Sequence, residues 1–181
     1  AVKNNRFLIF HRYGINKEFW RIGFTEAALG SYENFGSKEL GYFMPSSVYL
    51  ETEENRGIDT NLMWFIDAMI KINKWTIYVE FLIDDFALDR MSPHQVAFNV
   101  GLGKKMNNII FNLDYTRINR WVGANCFEEH RWIEYGNYSV PIGNILGPDA
   151  HQIVFSNYYS IGKNFSIELE LNWIEHADGN Y

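Results

Sequence analysis

Residues 165–173, FSIELELNW, alternate without a break. Phe165, Ile167, Leu169, Leu171 and Trp173 fall on one side, and Ser166, Glu168, Glu170 and Asn172 on the other. A period of two is that of a β-strand, whose successive side chains leave opposite faces of a sheet. The rhythm recurs in WTIYVEFLI, where Trp75, Ile77, Val79, Phe81 and Ile83 alternate with Thr76, Tyr78, Glu80 and Leu82. In NLMWFIDAMI, Leu62, Trp64, Ile66, Ala68 and Ile70 oppose Asn61, Met63, Phe65, Asp67 and Met69. Eight segments carry strand patterns, at 5–13, 17–25, 61–71, 75–83, 96–103, 108–117, 151–160 and 165–174. The first of them, RFLIFHRY, shows no clear faces.

The connections sort into two kinds. GINK at 14–17, INK at 72–74, KKMN at 104–107 and GKN at 162–164 are short, with Gly or Asn to accept a left-handed backbone and Lys to hold the tip in water. Residues 26–60, 84–95 and 118–150 are long. Short turns at one end of the strands and long connections at the other are the asymmetry of an outer-membrane barrel. The aromatic residues follow the same division. Tyr13, Trp20, Trp75, Tyr159 and Phe165 stand beside the short turns, and Trp64, Phe81, Tyr115 and Trp173 near the opposite strand ends, as two interfacial girdles require. Arg21, Asp67, Glu80, Asp114, Arg117, Glu168 and Glu170 are expected together on the other face. That face is solvent in a soluble sandwich and a wet lumen in a large barrel.

Composition changes the picture in three places. Aromatic residues make up 17% of the chain and Gly outnumbers Pro 14 to 4, a mix that favours strands. A net charge of −6 leaves no evident basic surface to replace phosphate counterions, so nucleic acid is excluded as a partner. Cys126 is the only cysteine, which excludes a disulfide framework and a cysteine metal site. The longest apolar run, NLMWFIDAMIKINKWTIYV, is cut by Asp67, Lys71 and Lys74, so a helical membrane protein is excluded. A β-barrel escapes that test because its strands alternate.

The expected fold is therefore all-β, an antiparallel up-and-down transmembrane β-barrel with long loops on one side. Residues 1–181 form a single segment of about eight strands of a larger barrel. The ending WIEHADGNY places a turn signal, Asp178-Gly179-Asn180, with no strand after it, so the segment is expected to be incomplete at its C-terminus. The N-terminus lacks an initiator Met and is either mature or a second cut end.

Three stretches in the long connections are more particular than generic loop: YVEFLIDDF at 78–86, LDYTRIN at 113–119 with Trp121 soon after, and YSVPIGNILGPDAHQI at 138–153. With NNRFLIFHRYGI and RIGFTEAALG near the start, they resemble, in order, the capsule assembly Wzi family of outer-membrane proteins. The resemblance covers nearly the whole chain but only part of a family member, a barrel of about eighteen strands. It implies a bacterial outer-membrane barrel, extracellular or lumen-occluding segments, and a lectin-like, non-enzymatic role in assembling or holding capsular or exopolysaccharide at the cell surface. It supplies no residue-level sugar site. Residues 44–57 are a candidate for a helical or looped plug.

Candidate ligand-binding residues come from chemistry. Arg117, Arg120, Trp121, Arg131 and Trp132 combine planar guanidinium forks for acidic sugars with flat rings for sugar C–H faces. Tyr32, Tyr42, Tyr49, Tyr135 and Tyr138 belong with Trp121 and Trp132 to one set of loop rings, which either meet sugar or pack the loops over the barrel mouth. The two arginines at 117 and 120 have an alternative use in pairing with Glu80, Asp84, Asp85 and Asp89. No catalytic residue, cofactor or metal is expected. His11, His94, His130, His151 and His176 lack partners at motif spacing, and calcium-loop spacing is absent around Asp84 and Asp85. Expected partners are the lipid bilayer, capsular or exopolysaccharide, and other envelope proteins. The competing classes are a soluble β-sandwich that binds carbohydrate and a structural subunit of an envelope complex.

Overall fold

A computed structural model describes residues 6–31, 39–44, 48–49, 51, 60–85, 95–120, 122, 136–137, 140–141, 146–147, 149–162 and 164–176. The strands are β1 (Arg6–Asn16), β2 (Trp20–Ser31), β3 (Asn61–Ile72), β4 (Trp75–Asp85), β5 (Gln95–Met106), β6 (Ile109–Ile118), β7 (Gly136–Asn137), β8 (Val140–Pro141), β9 (Ala150–Ile161) and β10 (Phe165–His176). A 3-10 turn spans Glu39–Phe43. Eight strands form one antiparallel sheet in the order β1-β2-β3-β4-β5-β6-β9-β10, so each strand pairs with the next along the chain except that β6 pairs with β9. β7 and β8 make a separate two-stranded ribbon within the connection between β6 and β9. β1 and β10 are the two edges and do not pair with each other; the sheet is open.

The fold is thus all-β with up-and-down order, and each of the eight expected strand segments is present. The strands run longer than the pattern alone suggests, reaching 12 residues in β2, β3, β5, β9 and β10. Three of the four short turns fall where Gly and Asn placed them: Asn73 (φ 55), Asn107 (φ 44) and Gly162 (φ 70) hold the left-handed conformation at the tips. The first turn is a correction. Gly14 lies inside β1 opposite Gly23, and the reversal comes later, at Lys17–Phe19, closed by Lys17 N donating to the Trp20 carbonyl at 2.8 Å.

The register assigns a face to every strand residue, because directly opposed residues in an antiparallel pair project to the same side. One row runs Gly14, Gly23, Asp67, Glu80, Asn99, Thr116, Gln152 and, at the β10 edge, Ile174. Phase settles the rest: Arg12, Arg21, Tyr78, Asp114, Ser156, Glu168 and Glu170 share this polar face. The opposite face carries Tyr13, Ile22, Phe24, Ile66, Ile77, Val79, Val100, Leu113, Ile153, Ile167 and Leu169. β1, faceless in sequence, acquires its sides from β2.

Candidate functional site

The apolar face is exposed where a soluble sheet would be covered. Trp20, Ile22, Ile70, Ile77, Val79, Val100, Leu113, Ile167, Leu169 and Leu171 are each exposed by 40% or more. Eight strands at about 4.8 Å spacing, with about 27 Å of apolar strand from Phe165 to Trp173, give roughly 1,000 Å² of such surface. The largest apolar patch on a typical soluble monomer is about 300–600 Å².

Both expected aromatic rows stand on this face. Trp20, Trp75, Tyr159 and Phe165 lie toward the short turns and Trp64, Phe81, Tyr115 and Trp173 toward the long connections, while Tyr13 lies on the cross-strand row that runs through Phe24 and Ile66 to Phe81. The face's charged and ionisable residues keep to its margins. Lys104 lies 4.2 Å from the centre of the Trp75 ring beside the short turns. At the other margin Arg117 pairs with Asp149 at 3.3 Å, and His151 Nε2 lies 3.3 Å from Glu175. Asn157 is an uncharged polar residue between the margins.

The polar face is laced across strands. Arg12 reaches over Gly23 of β2 to Asp67 of β3, with guanidinium nitrogens 2.9 and 2.7 Å from the two carboxylate oxygens. A Cβ at residue 23 would overlap both groups, so only glycine lets the arginine lie down on the sheet. Tyr78 of β4 repeats the device, lying over Gly101 of β5 to donate its hydroxyl hydrogen to Asp114 of β6. Asn99 donates to Thr116 at 2.7 Å, Asn112 to Ser156 at 3.3 Å and Gln152 to Asn172 at 2.9 Å. Such bonds tie the strands to one another along this part of the face. Near the long connections the polar face turns apolar: Ala27, Leu29 and Met63 are buried with Phe65 and Leu82 beside them, and Leu146 and Val122 pack on Ala97, Ile118 and Ala150.

Of the five sequence-predicted ligand residues, Trp121, Arg131 and Trp132 lie outside the described residues. Arg120 is exposed in the turn after β6. Arg117 departs from expectation: Thr116 takes the polar-face position opposite Asn99, and alternation turns Arg117 to the apolar side. Its partner there, among the described residues, is Asp149. Gly147 (φ 71) and Asp149 (φ 54) hold that turn in the left-handed region.

Tyr42 and Tyr49 are a second departure. Both are fully buried, packed against Ala28 with Ile9 and Leu62 alongside. Those three residues belong to the apolar face, so the rings dock on that face and not on the polar side. The two rings meet edge-on at 5.0 Å, Tyr49 lies 4.8 Å from His11, and the Tyr42 hydroxyl is 3.0 Å from Thr60 Oγ1. Burial pushes the Tyr49 phenol above its ordinary pKa, with Glu26 adding to the shift. The sequence signal was present in the alternative that loop rings pack; which surface they pack on was not. Of the 44–57 stretch, Tyr49 and Glu51 have helical backbone, and most of the rest lies outside the described residues.

Among the described residues, no cluster of three or more His, Cys, Asp or Glu side chains has a geometry to hold a metal ion, and no helix is long and apolar enough to cross a membrane. The second statement has no bearing on crossing by strands. No protein-family model, curated protein or solved structure matches the chain.

Proposed function

We propose that this sheet is part of the wall of a transmembrane β-barrel in a bacterial outer membrane, with its apolar face in lipid and its polar face toward a wet interior. The observation that carries the reading is the exposed apolar surface running from β2 to β10 between two aromatic rows. About 27 Å of strand, tilted by about 40°, rises roughly 21 Å, close to the apolar band of about 25 Å that outer-membrane barrels present. A bilayer leaves no water for open ladder edges, so in this reading further strands continue the wall beyond β1 and β10. A soluble sandwich would instead cover the apolar face with a second sheet about 10 Å away. Extraction separates the two. A barrel wall stays with the membrane through high-salt and alkaline washing and leaves only in detergent; release by either wash would end the membrane reading.

The wider role proposed is lectin-like and non-enzymatic: holding capsular or exopolysaccharide at the surface through the long connections. Its support is the ordered resemblance of the sequence blocks and the ring-and-guanidinium chemistry of Arg120, Trp121, Arg131 and Trp132, with Arg117 engaged by Asp149 at the margin. Glycan binding by intact cells should drop in the Trp121→Ala, Trp132→Ala double variant at normal surface levels. Unchanged binding would remove those rings from the site. Other envelope proteins are candidate partners and should co-purify in mild detergent.

A further inference from the structure

We infer that residues 39–44, with Val48 and Tyr49, form a flap on the lipid side of the sheet that enters the acyl–headgroup boundary of the bilayer. The inference rests on the membrane reading above and names a partner for a segment which that reading does not use. The flap is two-sided. Inward, Tyr42 and Tyr49 are wholly buried on Ala28, whose single methyl group leaves room for both rings. Outward, Leu40 is 56% exposed, Phe43 55%, Met44 57% and Val48 50%. A surface loop in water would be expected to turn polar side chains outward; this one turns four large apolar ones.

What lies beneath explains the need for a cover. Along the apolar face of β2, Trp20, Ile22 and Phe24 are exposed, and then Glu26 drops to 5% and Ala28 to 0%. Glu26 sits between His11 of β1 and Trp64 of β3, at the level of the aromatic row nearest the long connections. A carboxylate and an imidazole there would otherwise interrupt the lipid surface, and ionisable groups facing lipid are costly. Glu26 is buried close to Tyr49, whose ring also meets His11, while Leu40, Phe43, Met44 and Val48 of the same flap are exposed. Their height, at the margin and not mid-band, matches elements that lie in the interface with their apolar side about 5–10 Å deep. The backbone is suited to that position in part, since Met44 N donates to the Gly41 carbonyl at 3.2 Å within the 3-10 turn.

Site-directed spin labelling tests the inference on the full chain in vesicles of phosphatidylcholine and phosphatidylglycerol. Cys126, the only cysteine, is first replaced by Ser. Nitroxides are then placed singly by Phe43→Cys, Met44→Cys, Leu169→Cys and Lys74→Cys. All four positions are exposed, and gel mobility before and after heating verifies that each labelled variant folds. Labels at 43, 44 and 169 should collide more with dissolved oxygen than with a water-soluble nickel chelate, and the label at 74 the reverse. If 43 and 44 follow 74 while 169 stays lipid-like, the flap lies in water and the inference is overturned with the membrane reading intact. Shielding of 43 and 44 from both quenchers would mean that protein covers the flap, a second copy or further strands, and would also overturn it. A chelate-accessible label at 169 would sink the membrane reading and the flap with it.

Discussion

Replacing Leu169 by Lys, and in a separate variant replacing the adjacent Glu170 by Lys, puts a positive charge on each of the two faces of one strand. Leu169 is the middle of the five apolar residues of β10, 51% exposed, with Phe165 and Trp173 each four residues away, about 13 Å of strand. At a bilayer midplane a lysine costs about 2–4 kcal/mol, falling to about 0–1 near the interfaces. Leu169 is far from both aromatic rows, so the larger range applies. That is roughly 30- to 900-fold in the folding equilibrium. On a soluble sheet the same half-exposed position would tolerate lysine to within about 0.5 kcal/mol. Glu170 opposes Ser156 on the polar face, so Glu170→Lys should stay within about 0.5 kcal/mol in either environment. The assay is the urea dependence of folding into phospholipid vesicles, followed by gel mobility before and after heating. The reasoning fails if Leu169→Lys folds like the parent, or if both variants lose stability equally, since only the face distinguishes neighbouring residues on a strand.

Three further outcomes follow from the side-chain arrangement. Gly101→Ala should destabilise by about 1–3 kcal/mol, because the new methyl group overlaps the Tyr78 ring; adding Tyr78→Ala should erase most of that penalty in a double-mutant cycle. Asp67→Ala should cost about 1 kcal/mol in the same urea assay, since Arg12 loses its fork but is half exposed and can turn to water; a loss above about 3 kcal/mol would mean a far drier polar face. Tyr49→Phe should be neutral or stabilise flap docking by up to about 1 kcal/mol, because the buried Tyr49 hydroxyl has no hydrogen-bond partner among the described residues. The parent should also lose docking in alkali. The docked phenol's pKa is raised, so its contribution is complete below the ordinary value of 10.0 and fades as pH climbs above it. His11, Tyr13, Glu26 and Tyr42 surround the ring among the described residues, and only Tyr49→Phe should abolish the effect, read as the mobility of a nitroxide at residue 44.

Period-two alternation is a local property, which is why β3, β4 and β10, with their faces, were legible from residues 61–83 and 165–174 alone. The tip residues Asn73, Asn107 and Gly162 were legible for the same reason: a left-handed backbone at a hairpin end is decided by one or two residues. Both aromatic rows needed only the strands and their up-and-down order. Where pairing itself decides, the sequence was silent or misleading. β1 has apolar residues on both sides and took its faces from its register with β2, in which Gly14 meets Gly23 and pairing runs on to Asn16. Arg117 looked like a member of the charged set, yet Thr116 fills the slot opposite Asn99 and leaves the arginine on the apolar margin with Asp149. Arg12 over Gly23 and Tyr78 over Gly101 join residues on strands that are not adjacent, through a glycine whose role appears only once three strands are aligned. Tyr42 and Tyr49 carry no periodic signal at all. Their docking on Ala28, on the apolar face, depends on Ile9, Ala28 and Leu62 meeting, which they do only when β1, β2 and β3 lie side by side.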